Sequence, residues 1–316
     1  MEFAVWPGTN QSWDDIVEVA RHAELSGWDR VYIADHFMPN DGMGPIDGPM
    51  LECWSVVAAL AAAVPRIGIG TLVCGNTYRH PAVLANQAAT ADVISGGRVI
   101  LGLGAGWQVN EHDRYGIPLW SLRERMDRFE EACAVVTGLR DQDFVDFDGD
   151  HYQLTEAPMV PKPVGPMPLL IGGGGEQRTL RIAARYAEEW NVWSDPEKFA
   201  QKSGVLDERC AEIDRDPTTI RRSTQALLFL SDDADFVASM RERLAGRPVL
   251  GGGPSELIDT VGAYRDAGVD ELIIPDFTLG TGEQRREVLD RFHDEVARHF
   301  RAEFSGTEFT GTADAP

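Results

Sequence analysis

Two patterns of apolar positions alternate along the chain. Phe3-Ala4-Val5-Trp6, Trp28 to Ala34, Ile67 to Val73 and Arg98 to Leu103 hold runs of apolar residues with no helical gaps, as strands buried on both faces do. Between them apolar residues recur at helical spacing. From Ser12 to Ser26, Ser12 and Asp15 make a capping-box-like start, Ile16, Val19, Ala20 and Ala23 share one face, and Gly27 can end the helix in the left-handed conformation. Pro81 to Ile94, begun by Pro and closed by Ser95-Gly96-Gly97, reads the same way. Further strands are predicted at Leu169 to Ile171, Glu189 to Val192, Ser223 to Leu230 and Glu271 to Ile274. Further helices are predicted at Gln177 to Ala187, Lys198 to Ile213 and Ser255 to Ala267.

About eight strands separated by helices, with no break into two halves, predict an α/β fold closed as a (β/α)8 TIM barrel rather than a doubly wound open sheet. Two stretches interrupt the alternation, after the second and fourth strands. One is the Gly- and Pro-rich segment Pro39 to Pro49. The other is Trp107 to Pro168, with a helix around Leu122 to Leu139 and a hairpin near Asp148-Gly149-Asp150. In a barrel both overhang the catalytic face. Residues 1–304 are expected to form one domain and 305–316, rich in Gly, Thr and Ala, a disordered tail.

Composition narrows the function. With 51 acidic and 29 basic residues the net charge is −22, which argues against nucleic acid and anionic membranes as partners. No apolar run approaches the roughly 20 residues of a membrane helix, and the chain enters a strand at Phe3 without a basic leader, so an unexported protein is expected. The scattered Cys53, Cys74, Cys133 and Cys210 fit neither a metal site nor a disulfide framework and suggest a reducing cytoplasm.

In a barrel, reactive groups sit where strands end. Asp35-His36 closes the second strand: a histidine there can exchange a proton near neutrality while the aspartate binds a ring nitrogen or a cofactor donor, or the pair can merely cap the strand. The third strand ends in a polar turn from Thr71 and Leu72 through Asn76 to Pro81, whose amides and hydroxyls could face a ligand. After the fourth, Gly102-Leu103-Gly104-Ala105-Gly106-Trp107 clears side chains where something flat could lie, although the spacing does not complete a dinucleotide fingerprint. Gly172, Gly173, Gly174 and Gly175, followed by Glu176, join a strand to a helix and can converge several N–H groups on a phosphate; a flexible connector is the plainer alternative. No Walker lysine follows, so nucleotide hydrolysis is not expected. Gly251-Gly252-Gly253-Pro254 reads as the lead-in to a helix. His22, His112, His151, His293 and His299 read as surface positions, Glu111-His112 as a solvated charged face, and no metal site is nominated.

Taken in order, Ala34-Asp35-His36-Phe37, Thr71-Leu72-Val73 with Tyr78-Arg79-His80-Pro81-Ala82, Ser95-Gly96-Gly97-Arg98 with Gly102 to Trp107, and Ile171-Gly172-Gly173-Gly174 resemble the signature segments of the luciferase-like monooxygenase superfamily. Gly253-Pro254-Ser255-Glu256 and Ala267-Gly268-Val269 resemble its closing segment. The Asp-His ending is similar to the F420-dependent branch. That resemblance implies an oxidoreductase passing hydride between coenzyme F420 and a small organic substrate, with Asp35 and His36 beside the deazaflavin and the phosphate at Gly172 to Gly175. It also implies a non-prolyl cis peptide at Thr71-Leu72, to within one residue. Homo-oligomers are common in that family, so a homodimer is one expectation. The chain departs from the branch's dehydrogenases at Trp107, where they carry an acid, and at Asn40, where they carry a Trp, so their acid–base scheme does not transfer. An FMN-dependent monooxygenase and a non-catalytic flavin- or deazaflavin-binding protein stay open as alternatives.

Overall fold

The computed structural model describes residues 1–42 and 44–301; the tail expected at 305–316 lies outside them. Eight parallel strands form the barrel: β1 (Glu2–Trp6), β2 (Arg30–Ile33), β3 (Gly68–Thr71), β4 (Val99–Gly104), β5 (Leu169–Gly172), β6 (Glu189–Asn191), β7 (Arg221–Gln225) and β8 (Glu271–Pro275). Each is hydrogen-bonded to its neighbours in chain order, and β1 pairs with β8 in the register Glu2↔Glu271 to Trp6↔Pro275, which closes the ring. The helices are α1 (Trp13–Ser26), α2 (Cys53–Ala63), α3 (Pro81–Ser95), α4 (Val109–Tyr115), α5 (Leu122–Asp141), α6 (Thr179–Tyr186), α7 (Pro196–Ala211), α8 (Ala234–Arg243), α9 (Pro254–Asp266) and α10 (Gly282–Glu295). Among the described residues no helix is long and apolar enough to cross a membrane.

The period of two along each strand separates two cores. Phe3 and Val5, Val31 and Ile33, Leu169 and Ile171, and Leu272 and Ile274 point outward and pack with the helices. Ala4, Trp6, Tyr32, Ile100, Leu170 and Ile273 point inward and fill the barrel. Every predicted barrel strand is present. One prediction is corrected: the stretch Ser223 to Leu230 is not a single strand. The chain leaves the barrel after Gln225, and Leu227–Leu230 pairs instead with Val249–Gly252, outside the ring. Gly251 and Gly252, read as a helix lead-in, belong to that added strand; Gly253 is the N-cap of α9, with Glu256 reaching back to its amide. The predicted hairpin is Phe144–Asp148 against Gln153–Pro158.

At the barrel's lower end, where the strands begin, charge is buried. Arg30 Nη1 donates to Glu189 Oε2 at 2.6 Å and lies 3.6 Å from Glu271 Oε2, while the Tyr32 hydroxyl donates to Glu271 at 2.9 Å. Burial pushes the Glu271 carboxyl up from 4.5 to about 7, against the opposing pull of Arg30 and Arg221. A raised carboxyl pKa means stability that is full below 4.5 and lost as pH climbs through 7. Relative to Glu271→Gln, the native chain should therefore lose about 2.5 kcal/mol of unfolding free energy between pH 5 and pH 8. Denaturant titrations of both proteins check this; a difference that stays constant over that window would refute it.

Candidate active site

The upper end of the barrel opens into a cavity of about 870 Å³, walled by Trp6, Trp193 and Phe277 on one side and by His36, Met38 and Trp107 on the other. Trp6 stands edge-on to Trp193 at 5.7 Å and to Phe277 at 5.1 Å, so the aromatic wall is continuous. Trp107 is 58% exposed and meets the His36 ring edge-on at 5.6 Å.

His36 is held from behind. Its Nδ1 lies 2.9 Å from Glu111 Oε1; Glu111 Oε2 accepts from the Phe37 amide at 2.8 Å, and the Tyr78 hydroxyl donates to Oε1. Burial acts to raise the Glu111 pKa, but these donors and the His36 ring outweigh it and hold the carboxyl below its ordinary value. An ionised carboxylate only accepts, so Nδ1 carries the proton in this contact and Nε2 is left for exchange with a bound molecule. Behind Tyr78, His112 stacks at 4.9 Å and bonds both the Gln108 carbonyl and the Thr77 hydroxyl.

Glu111 and His112 are thus buried, not a solvated face, and His293 too is buried. Helix α4 carries the first two inward with its polarity inverted: Asn110, Glu111 and His112 face the protein while Val109 and Tyr115 are 56% and 57% exposed. No apolar stripe marks it.

Asp35 points away from the cavity. It accepts from Arg79 at 2.6 and 3.0 Å and from the Gly75 amide at 3.2 Å, and Arg79 also donates to Glu52, the N-cap of α2. Burial outweighs Arg79 and lifts the Asp35 carboxyl above its usual value. Glu52, by contrast, is held below its ordinary value: burial is overcome by the Ser55 and Trp54 donors and by Arg79. The result is a clamp on the loop that follows β3.

The remaining predicted residues gather around Val73. The Thr71 hydroxyl is spent across β3 and β4, donating to the Gly102 carbonyl and accepting from its amide. Leu72 enters the inner core, and the non-prolyl cis bond is Leu72-Val73, one residue beyond the expected place. The room left by Gly104 and Gly172 is room for Val73: a Cβ at either position would lie within 3.0 Å of its methyl groups. Val73 and Trp193 pack on the inner core, and Val73 is the half-buried floor between the two glycine strands. Gly106 packs beside Thr77.

The glycine loop shows features of a cradle. Gly173 has φ +125°, a conformation closed to other residues, and among the described residues the Gly174 and Gly175 amides have no hydrogen-bond acceptor. A cation that sequence patterning missed stands beside it: Lys202 on α7 passes Gly174 and donates to Glu176 at 2.7 Å. Asn76 is buried with its Oδ1 unpartnered. Unbonded amides, a nearby ammonium and an orphan amide oxygen suit an anionic, ring-bearing group. His36 and Trp107 line the cavity, whereas Gly172 to Glu176 lie outside its wall.

A family model described as luciferase-like monooxygenase matches residues 1–309. Over 327 residues the chain is 31% identical to the F420-dependent glucose-6-phosphate dehydrogenase of Amycolatopsis mediterranei (strain U-32), covering 91% of this chain and 95% of that one. It is 29% identical to the enzyme of the same name from Nocardia farcinica (strain IFM 10152), covering 91% and 94%. The structure superposes with a TM-score of 0.81 on an F420-dependent secondary alcohol dehydrogenase in complex with an F420-acetone adduct, at 20% identity over 94% and 98% of the chains. It does so at 0.79 on the coenzyme F420 dependent tetrahydromethanopterin reductase from Methanopyrus kandleri, at 20% identity over 95% and 99%. At such identities the superpositions speak for the barrel fold alone.

Proposed function

The chain belongs to the luciferase-like monooxygenase family, and on that premise we propose that it is an F420-dependent oxidoreductase acting on a small organic substrate. The observation that carries the reading is His36, held by the ionised Glu111 in the wall of an aromatic cavity. The F420 dependence of the curated relatives supports the cofactor. Bound, F420 supplies two-electron hydride chemistry.

Gly174, Gly175 and Lys202 would hold its phosphate, with Glu176 fixing Lys202, and Val73 with Asn76 would meet its ring. Asp35 acts at one remove, by clamping the loop that carries Asn76 and Tyr78. Reduction of a double bond consumes one hydride and one proton; His36 Nε2 gives that proton to the substrate atom opposite the one receiving hydride, and takes it back in the oxidative direction. Glu111 keeps the ring oriented and offsets its charge while it is protonated. The aromatic wall excludes water. Four buried free cysteines suit work in the reducing cytoplasm.

Titrating F420 and FMN separately into the purified protein and following quenching of cofactor fluorescence tests the reading. F420 should saturate at about one per chain; tight FMN binding with none for F420 would overturn it in favour of a flavin monooxygenase.

A further inference from the structure

The buried carboxylate of the main cavity, Asp276, is spoken for. Asp276 accepts from the Gly8 amide at 2.9 Å, from Gln11 at 2.6 Å and from Arg285 at 2.7 Å, and Arg285 also donates to Gln11. Gln108 donates to the Met38 carbonyl at 2.9 Å. A ligand that drew on Asp276 or Gln108 would have to break these bonds and leave buried groups unpaired. The dominant surface of the cavity is aromatic, from Trp6, Trp107, Trp193 and Phe277.

It offers one cation as well. Arg247, in the segment before the added strand Val249–Gly252, lines the cavity with its guanidinium 5.4 Å from the Trp193 ring centroid. Among the described residues its side chain makes no hydrogen bond or ion pair. Arg285, the other cavity arginine, is neutralised by Asp276. A volume near 870 Å³ is ample for a molecule of two or three fused rings.

Resting on the proposed function, we infer that the substrate is a planar aromatic or conjugated molecule bearing one anionic group, its rings between the aromatic walls and its anion on Arg247. A sugar phosphate, the substrate class named for the curated relatives, would cover less of this aromatic surface than fused rings do. The inference assigns Arg247 a specificity role at the rim, away from His36.

The test is calorimetric titration of the F420-saturated protein with 2-naphthoate, 2-naphthol, cyclohexanecarboxylate and glucose 6-phosphate. Expected is binding of 2-naphthoate at least roughly tenfold tighter than of cyclohexanecarboxylate or glucose 6-phosphate. Arg247→Gln should weaken 2-naphthoate by about tenfold and leave 2-naphthol unchanged, since only the charge-assisted contact is lost. Glucose 6-phosphate binding as tightly as 2-naphthoate, or an Arg247→Gln effect that is absent or equal for both naphthalenes, overturns the inference. Deazaflavin quenching, followed in the same samples, separates the two readings. F420 bound but naphthoate not would sink this inference and keep the proposed function; naphthoate bound without F420 would do the reverse.

Discussion

Replacing His36 by alanine is expected to lower kcat by 10²- to 10⁴-fold, the range that positioned acid–base groups contribute, while F420 binding stays within about threefold of the native protein. Among the described residues nothing else on the cavity wall combines a titratable ring nitrogen with a buried carboxylate behind it: Trp107, which sits edge-on to His36, cannot exchange a proton. Rescue distinguishes proton transfer from mere orientation of the substrate. Removing the imidazole leaves space in an already roomy cavity, so added imidazole should restore part of the rate if His36 moves a proton. Activity in the variant within about threefold of native, at saturating substrate, would refute the role outright. A large loss without rescue would confine His36 to positioning.

The barrel was legible because most of its strands hold runs of apolar residues and its helices carry clear ends, as with Ser12 accepting from the Asp15 amide and Gly27 at φ 85°. Three kinds of feature escaped. The break after Gln225 is hidden because the barrel strand Arg221–Gln225 is polar throughout while the apolar stretch Leu227 to Leu230 follows it, and composition does not record which strand a run pairs with. Helix α4 is hidden because it buries its polar residues, so a search for an apolar stripe passes over the carboxylate that holds His36. The glycines were found but their immediate use was not. Gly104 and Gly172 make way for Val73 across the barrel, a contact between residues 73 and 172 that only the closed fold brings about. Asp35 and His36 illustrate both sides: adjacent in sequence at a strand end, they turn to opposite tasks, one to the clamp at Arg79 and the other to the cavity.

That division of labour predicts the second large effect. Asp35→Ala should destabilise the fold by about 3–5 kcal/mol, because it strands a partly buried guanidinium rather than removing a pair. Arg79 is only 12% exposed at its side chain, and without Asp35 its remaining partner is Glu52, 37% exposed and also engaged as a helix cap. The Gly75 amide loses its acceptor at the same time. For a chain of this length the thermal midpoint should fall by on the order of 6 °C. Arg79→Met in the Asp35→Ala background should recover a good part of that loss, since the uncompensated charge goes with it. If Asp35→Ala costs less than about 1 kcal/mol, or if Arg79→Met adds a further loss of its own, the clamp is not the main restraint on this loop. Function follows from the same contacts. The clamp fixes the backbone from Gly75 to Arg79, Tyr78 in that stretch donates to Glu111, and Glu111 holds His36. Asp35→Ala should therefore reduce turnover even at temperatures where the barrel remains folded, with the loss traced through Tyr78 and Glu111 to the His36 ring.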